Sequence, residues 1–286
     1  MQLVTFSHEG STRTGRLDGD TVVDLAAAGL PADMLALLEG GDDALSRARD
    51  ADGPRIETDQ LRLEAPIARP PKILAVGLNY ADHIEETGRD TPKVPIIFNK
   101  QSLSASGPFD PIHLPRASHR LDYEGELGLV IGRACRHVPR ERAHEVVAGY
   151  VVVNDVSVRD WQVKSPTMMM GKSWDTHCPF GPAIVTPDEV GDPHTLDLQT
   201  LVNGEVRQST NTKNLIFDCY DLIEHLSTAF TLEPGDVIST GTCGGVAIGF
   251  KPPKFLVAGD VVRVEIEKLG SIENTVVDEP ADTARI

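Results

Sequence analysis

Glu124 and Glu126 stand two residues apart in Asp122-Tyr123-Glu124-Gly125-Glu126-Leu127, a run that reads as a β-strand. Strand side chains alternate between faces, so both carboxylates project to the same side. Two like charges that close repel each other unless a cation sits between them. A third carboxylate, Asp155, ends the apolar run Gly149-Tyr150-Val151-Val152-Val153-Asn154, which predicts a neighbouring strand. Three hard oxygen ligands with no nearby cysteine suit Mg²⁺ or Mn²⁺ better than zinc. The competing reading is the solvated face of an edge strand, which accounts for most isolated Glu-x-Glu pairs. What surrounds the pair decides between them.

His83 and Glu86 follow an apolar run ending at Gly77 and lie three residues apart, so on a helical turn they share a face. A glutamate beside an imidazole fixes its tautomer and raises its basicity, as a water-activating general base requires. The same spacing also fits an ordinary exposed turn. Lys172 emerges from Met168-Met169-Met170-Gly171 and precedes Ser173-Trp174. It either neutralises an anionic substrate beside the carboxylates or snorkels to the surface. Thr240-Gly241-Thr242 and Gly244-Gly245 form a loop whose N–H groups and hydroxyls suit a carboxylate. Cys178 and Cys243 lie near these segments without an obvious histidine activator and read as spectators.

These residues need elements to hold them. Leu3–Phe6 and 21–25 read as a strand pair joined by a polar turn, and Met34, Leu35, Leu37 and Leu38 begin a short helix broken at Gly40-Gly41. A polar, proline-containing stretch then predicts a boundary, giving a small β-rich unit over 1–68 and a larger one over 69–286. Strands are predicted at 73–77, 95–98, 124–131, 150–154, 183–186, 196–202, 236–240 and 261–266. Asn203-Gly204 is a two-residue hairpin turn, and one long helix is predicted over 214–230. The class is α+β, strand-dominated and barrel-like.

Composition narrows the partners. A formal net charge of −16 argues against nucleic acid or an anionic membrane surface. The four cysteines form no C-x-x-C pair, and no segment has the length of a membrane span, so a cytoplasmic protein is expected.

Five segments, in this order, resemble the fumarylacetoacetate hydrolase superfamily: 77–83 (Gly-Leu-Asn-Tyr-Ala-Asp-His), 121–127, 154–162, 171–182 and 240–242. The resemblance spans 72 to about 278, and the short N-terminal β-rich unit matches one large subgroup. It implies mixed sheets rolled into a barrel-like core, usually in a homodimer. It assigns Mg²⁺ or Mn²⁺ to Glu124, Glu126 and Asp155, and a substrate or enolate contact to Lys172. It places His83 and Glu86 on a mobile lid, expected over 79–91, that orients water in hydrolytic members. Arg159, Gln162 and Thr242 fall at substrate-contacting positions. The chain departs from the family pattern at Cys243, where many relatives have proline, at Gly125 between the glutamates, and in the loop 164–167.

The activity expected from this resemblance is metal-dependent hydrolysis of a carbon–carbon bond in a 2,4-dioxo acid, an acylpyruvate, through a pyruvate enolate. The same site would also support oxaloacetate decarboxylation or isomerisation and hydration of a hydroxy-diene diacid. A non-catalytic homologue is the remaining alternative, and loss of turnover on chelation separates it from an enzyme.

Overall fold

A computed structural model describes residues 1–88 and 90–282. Arg89, inside the expected lid, lies outside the described residues. The strand Val147–Asn154 is buried along its whole length. A strand covered on both faces reads as a continuous apolar run, as Val151-Val152-Val153 does. It lies in a twelve-stranded sheet between Cys178–Val185 and Gly125–Ile131. Past Gly125–Ile131 come Val237–Ser239, Ile73–Gly77 and Ile96–Lys100; past Cys178–Val185 come Gln2–His8, Ser11–Asp18, Thr21–Asp24 and Arg55–Glu57. Most neighbours are antiparallel, but Val237–Ser239 runs parallel to Ile73–Gly77, so the sheet is mixed.

A second, five-stranded sheet has the order Glu205–Asn211, Asp197–Val202, Val261–Ile266, Gly270–Asp278, Ile112–Leu114. Leu127, Leu129, Tyr150 and Val152 of the large sheet share one core with Leu198, Val264, Ile266 and Ile272 of the small one. On the large sheet's other face Leu3, Val151, Val153 and Ile184 pack with Met34, Leu37 and Leu38. The architecture is strand-rich α+β and barrel-like, with both sheets open. Gln2–His8 pairs with Cys178–Val185, so strands from the first 68 residues extend the large sheet.

Two expectations need adjustment. Ser11–Asp18, read as a polar turn, is a strand paired with Gln2–His8 over seven positions. Only Thr14 and Gly15 in it are buried, so no apolar alternation marked it. The helix predicted from 214 starts at Cys219, because Asp218 caps it: its carboxylate accepts the Tyr220 and Asp221 N–H groups, both at 2.9 Å. The Asn203-Gly204 turn holds, with φ of +52° and +79°, the left-handed pair a tight hairpin needs. No helix among the described residues is long and apolar enough to cross a membrane.

Candidate active site

Register brings the acidic residues together. Gly125 pairs with Asn154, so Glu124, just before one strand, lies beside Asp155, just after the next, and the Asp155 N–H donates to the Glu124 carbonyl at 2.9 Å. One carboxylate oxygen each from Glu124, Glu126 and Asp155 lie within 4.8 Å of one another, and all three residues are buried. Gly125 is what the packing allows between the glutamates. A Cβ there would stand 2.1 Å from Thr200 Oγ1 and 3.0 Å from Val264 Cγ1 of the second sheet.

Three cations face this cluster. Lys172 Nζ donates to Glu124 Oε2 at 2.6 Å and to Asp155 Oδ2 at 2.8 Å. Lys100 Nζ reaches Asp155 Oδ1 at 2.6 Å. Arg159 bridges Glu124 through Nη1 at 2.6 Å and Asp122 through Nε at 2.7 Å. Burial opposes the charge on Lys172, yet Asp155 and Glu124 hold its pKa above the ordinary value. Burial likewise opposes the Glu124 anion, but Lys172 and Arg159 carry its carboxyl well below the usual range. Four buried carboxylates (Asp122, Glu124, Glu126, Asp155) therefore meet three cations (Lys100, Arg159, Lys172), one charge short.

Glu126 is where the shortfall lies. It accepts the Ser239 hydroxyl at 2.6 Å and the Gly241 N–H at 2.8 Å, with no basic residue in ion-pair contact among the described residues. Burial, Asp155 and Glu124 push its carboxyl well up. An uncompensated buried carboxylate beside two others, all hard oxygen donors, fits a divalent ion of the Mg²⁺ or Mn²⁺ type.

Lys172 reaches the cluster because Gly171 has no side chain: a Cβ there would stand 2.3 Å from the Gln162 nitrogen. The short helices Arg159–Gln162 and Met169–Lys172 can thus touch, which aims Arg159 and Lys172 at the same glutamate. His83 and Glu86 lie on the helix Ala81–Thr87, with Nδ1 3.3 Å from Oε2. Glu86 Oε1 also accepts the Gly245 N–H at 3.1 Å, tying this helix to the glycine loop. The start of the expected lid is tied into the fold. Asn79 is buried and donates to the Phe217 and Thr240 carbonyls at 2.9 and 2.7 Å.

His83, Glu124, Arg159, Gln162, Lys172 and Thr242 line one cavity of about 560 Å³. Glu126 and Asp155 are part of the carboxylate cluster around Glu124, and Glu86 supports His83. Thr242 uses its hydroxyl within the protein, donating to the Gly125 carbonyl at 3.0 Å and accepting Gln208 Nε2 at 2.7 Å. Burial pushes the Cys178 and Cys243 thiols each up to about 12, which leaves both inert. Lys100, Asp122, Gln208 and Ser239 were not singled out from sequence. Lys100 carried a usable signal: like Asp155, it is a charge ending an apolar strand.

The model of the fumarylacetoacetate (FAA) hydrolase C-terminal family matches residues 72–277. The chain is 45% identical to the mitochondrial oxaloacetate tautomerase of Xenopus laevis, over 97% of this chain and 90% of that protein. Its fold matches the fumarylacetoacetate hydrolase of Exiguobacterium antarcticum with a TM-score of 0.87 at 40% identity, covering 98% of this chain and all of that one. It also matches the maleylpyruvate hydrolase of Sphingobium sp. SYK-6, solved with manganese(II) and pyruvate, with a TM-score of 0.80 at 34% identity over 98% of this chain and all of that one. With five sequence segments converging on one acidic cavity and these matches spanning nearly the whole chain, the protein belongs to the fumarylacetoacetate hydrolase superfamily of enzymes.

Proposed function

We propose that this protein interconverts the keto and enol forms of a 2-oxo acid of the oxaloacetate kind, using a divalent ion held by Glu124, Glu126 and Asp155. The observation that carries this reading is the shared cavity: the buried carboxylates, the Lys172 ammonium and the His83 imidazole all converge there. Similarity to an oxaloacetate tautomerase supports it. When bound, the ion supplies Lewis acidity to a chelating 2-oxo acid and so acidifies its C3 protons. The Lys172 ammonium meets negative charge as it builds on the 2-oxo oxygen. His83, held by Glu86, takes the C3 proton to leave an enolate, a proton from solvent on the 2-oxo oxygen then gives the enol, and the reverse transfers restore the keto form. Arg159 keeps one buried donor, Nη2, without a hydrogen-bond partner among the described residues, and this donor suits a substrate carboxylate. Gln162 and Thr242 shape the cavity beside it. A homodimer and a cytoplasmic location remain part of this proposal.

Hydrolysis of an acylpyruvate is the second reading, and the His83–Glu86 contact favours it. In that reaction His83 would activate water to attack the distal carbonyl. Cleavage of C3–C4 would then leave a pyruvate enolate facing Lys172.

Parallel kinetics on oxaloacetate enolisation and acylpyruvate cleavage, with Mn²⁺ present, test the choice. We expect enolisation to dominate in the wild type and to fall by about 10²–10⁴-fold in His83→Ala, the usual worth of a positioned general base. Dominant acylpyruvate cleavage would transfer the assignment to the second reading. An equal, small effect of the substitution on both reactions would remove His83 from proton transfer.

A further inference from the structure

The outer end of the same cavity is lined by Val163, Lys164, Ser165 and Pro166, the loop that departs from the family pattern. Three lysine or arginine side chains line the cavity, and two are already committed: Lys172 and Arg159 both pair with Glu124. Lys164 is different. It has no carboxylate in ion-pair contact among the described residues, and its ammonium lies 3.3 Å from the centre of the Trp161 ring.

The arrangement is built by the chain's local geometry. The Lys164 N–H donates to the Trp161 carbonyl at 3.2 Å, a turn that lays the lysine back over the indole three residues earlier. Trp161 is itself packed edge-on against Trp174, ring centres 5.2 Å apart, so the platform is supported from below. A surface lysine on an acidic protein ordinarily extends to water or to an acidic neighbour. This one lines the cavity together with Ile96, Val163, Met168 and Ile248, while its ammonium rests on the Trp161 ring next to it. Ser165, which also lines the cavity, adds a hydroxyl that bonds Thr167 at 2.9 Å. In a chain of net charge −16, an anion with a second negative group needs such a local cation to enter.

We propose that Lys164 determines specificity at the substrate's far end: it binds a second carboxylate, so the cavity selects 2-oxo dicarboxylates over 2-oxo acids with uncharged tails. This rests on the 2-oxo-acid reading above. Binding would lift the ammonium from the Trp161 face onto the substrate's distal carboxylate, forming a charge-assisted hydrogen bond that an uncharged tail cannot make.

The test compares oxaloacetate with 2-oxobutanoate, which carries a methyl group in place of the distal carboxylate, in the full-length protein with Mn²⁺. Wild type and the K164Q and K164R variants would be measured for C3 deuterium exchange and for ligand-dependent tryptophan emission. We expect K164Q to raise KM and the apparent Kd for oxaloacetate about 10-fold, with kcat within about twofold, and K164R to restore most of the loss. Values for 2-oxobutanoate should not change, and oxalate, which has no tail, should inhibit all three proteins equally, showing an intact head site. Unchanged oxaloacetate binding in K164Q, or equal losses on both ligands, would overturn the proposal. Should the wild type exchange neither compound, the enolisation reading fails by itself. Emission titrations still decide Lys164, since only its role predicts a dicarboxylate preference that K164Q abolishes.

Discussion

Glu126 is the residue on which metal dependence turns, because it is buried with no basic residue in ion-pair contact among the described residues. In Glu126→Gln the amide oxygen can still accept the Ser239 hydroxyl and the Gly241 N–H, while the charge is gone. In chelator, the variant should therefore melt above the wild type by about 2–4 °C, roughly what 1 kcal/mol is worth near this size. The sign with pH follows from the raised carboxyl, whose folded state favours the protonated form. The wild-type penalty is absent below the ordinary value of 4.5, grows as pH rises above it, and levels off past the folded-state value. Added Mn²⁺ should raise the melting temperature of the wild type only. A thermal-shift series across pH, with and without the ion, checks all three; a variant less stable than the wild type in chelator would contradict the charge count. The glutamates and Asp155 were legible because charges interrupt or end apolar runs there. Asp122 and Gln208 were not, since their roles depend on contacts with Arg159 and Thr242 at distant positions in the chain.

Among the elements, the strand Gly125–Ile131 and the helix Ala81–Thr87 carry the most consequence. Gly125→Ala drives a methyl into Thr200 Oγ1, at 2.1 Å, and should cost about 1–3 kcal/mol by overpacking. Glu124 and Glu126 flank the site, so Mn²⁺ affinity should fall with it. Thr200→Ala removes the obstructing hydroxyl, which is buried and has no hydrogen-bond partner among the described residues. The double variant should therefore recover most of the loss, a coupling that denaturant melts of the four proteins would measure. Strict additivity would mean that the two sheets do not press on each other there. For the helix, Glu86 to Gly245 ties its outer part to the glycine loop, whereas Asn79 pins its root. Amide exchange in Ala81–Thr87 should slow when oxalate and Mg²⁺ are added together. Equal exchange with and without oxalate would remove the lid role. The helix Gly41–Asp50 shows what patterning misses: its buried contribution is two alanines, Ala44 and Ala48, too small a stripe to register as an apolar face.

Across the whole molecule, the apolar strands were readable, and Ile73–Gly77 and Val261–Ile266 fall at the predicted residues. What sequence could not supply was which strands pair. Each sheet is assembled by pairings such as Leu129 with Ile238 in the large one and Thr200 with Val264 in the small one, made between segments far apart in the chain. The large sheet and the loops and short helices beside it bring Glu124, Lys172 and His83 to one cavity, so ion binding and enolisation should stand or fall together. The direct measurement is deuterium uptake at C3 of oxaloacetate, read as the excess over an enzyme-free control at the same ion concentration. We expect an excess with Mn²⁺ that disappears on chelation, returns when the ion is restored, and is absent from Glu126→Gln under every condition. An excess that survives chelation at its full rate, or that Glu126→Gln retains, would contradict it.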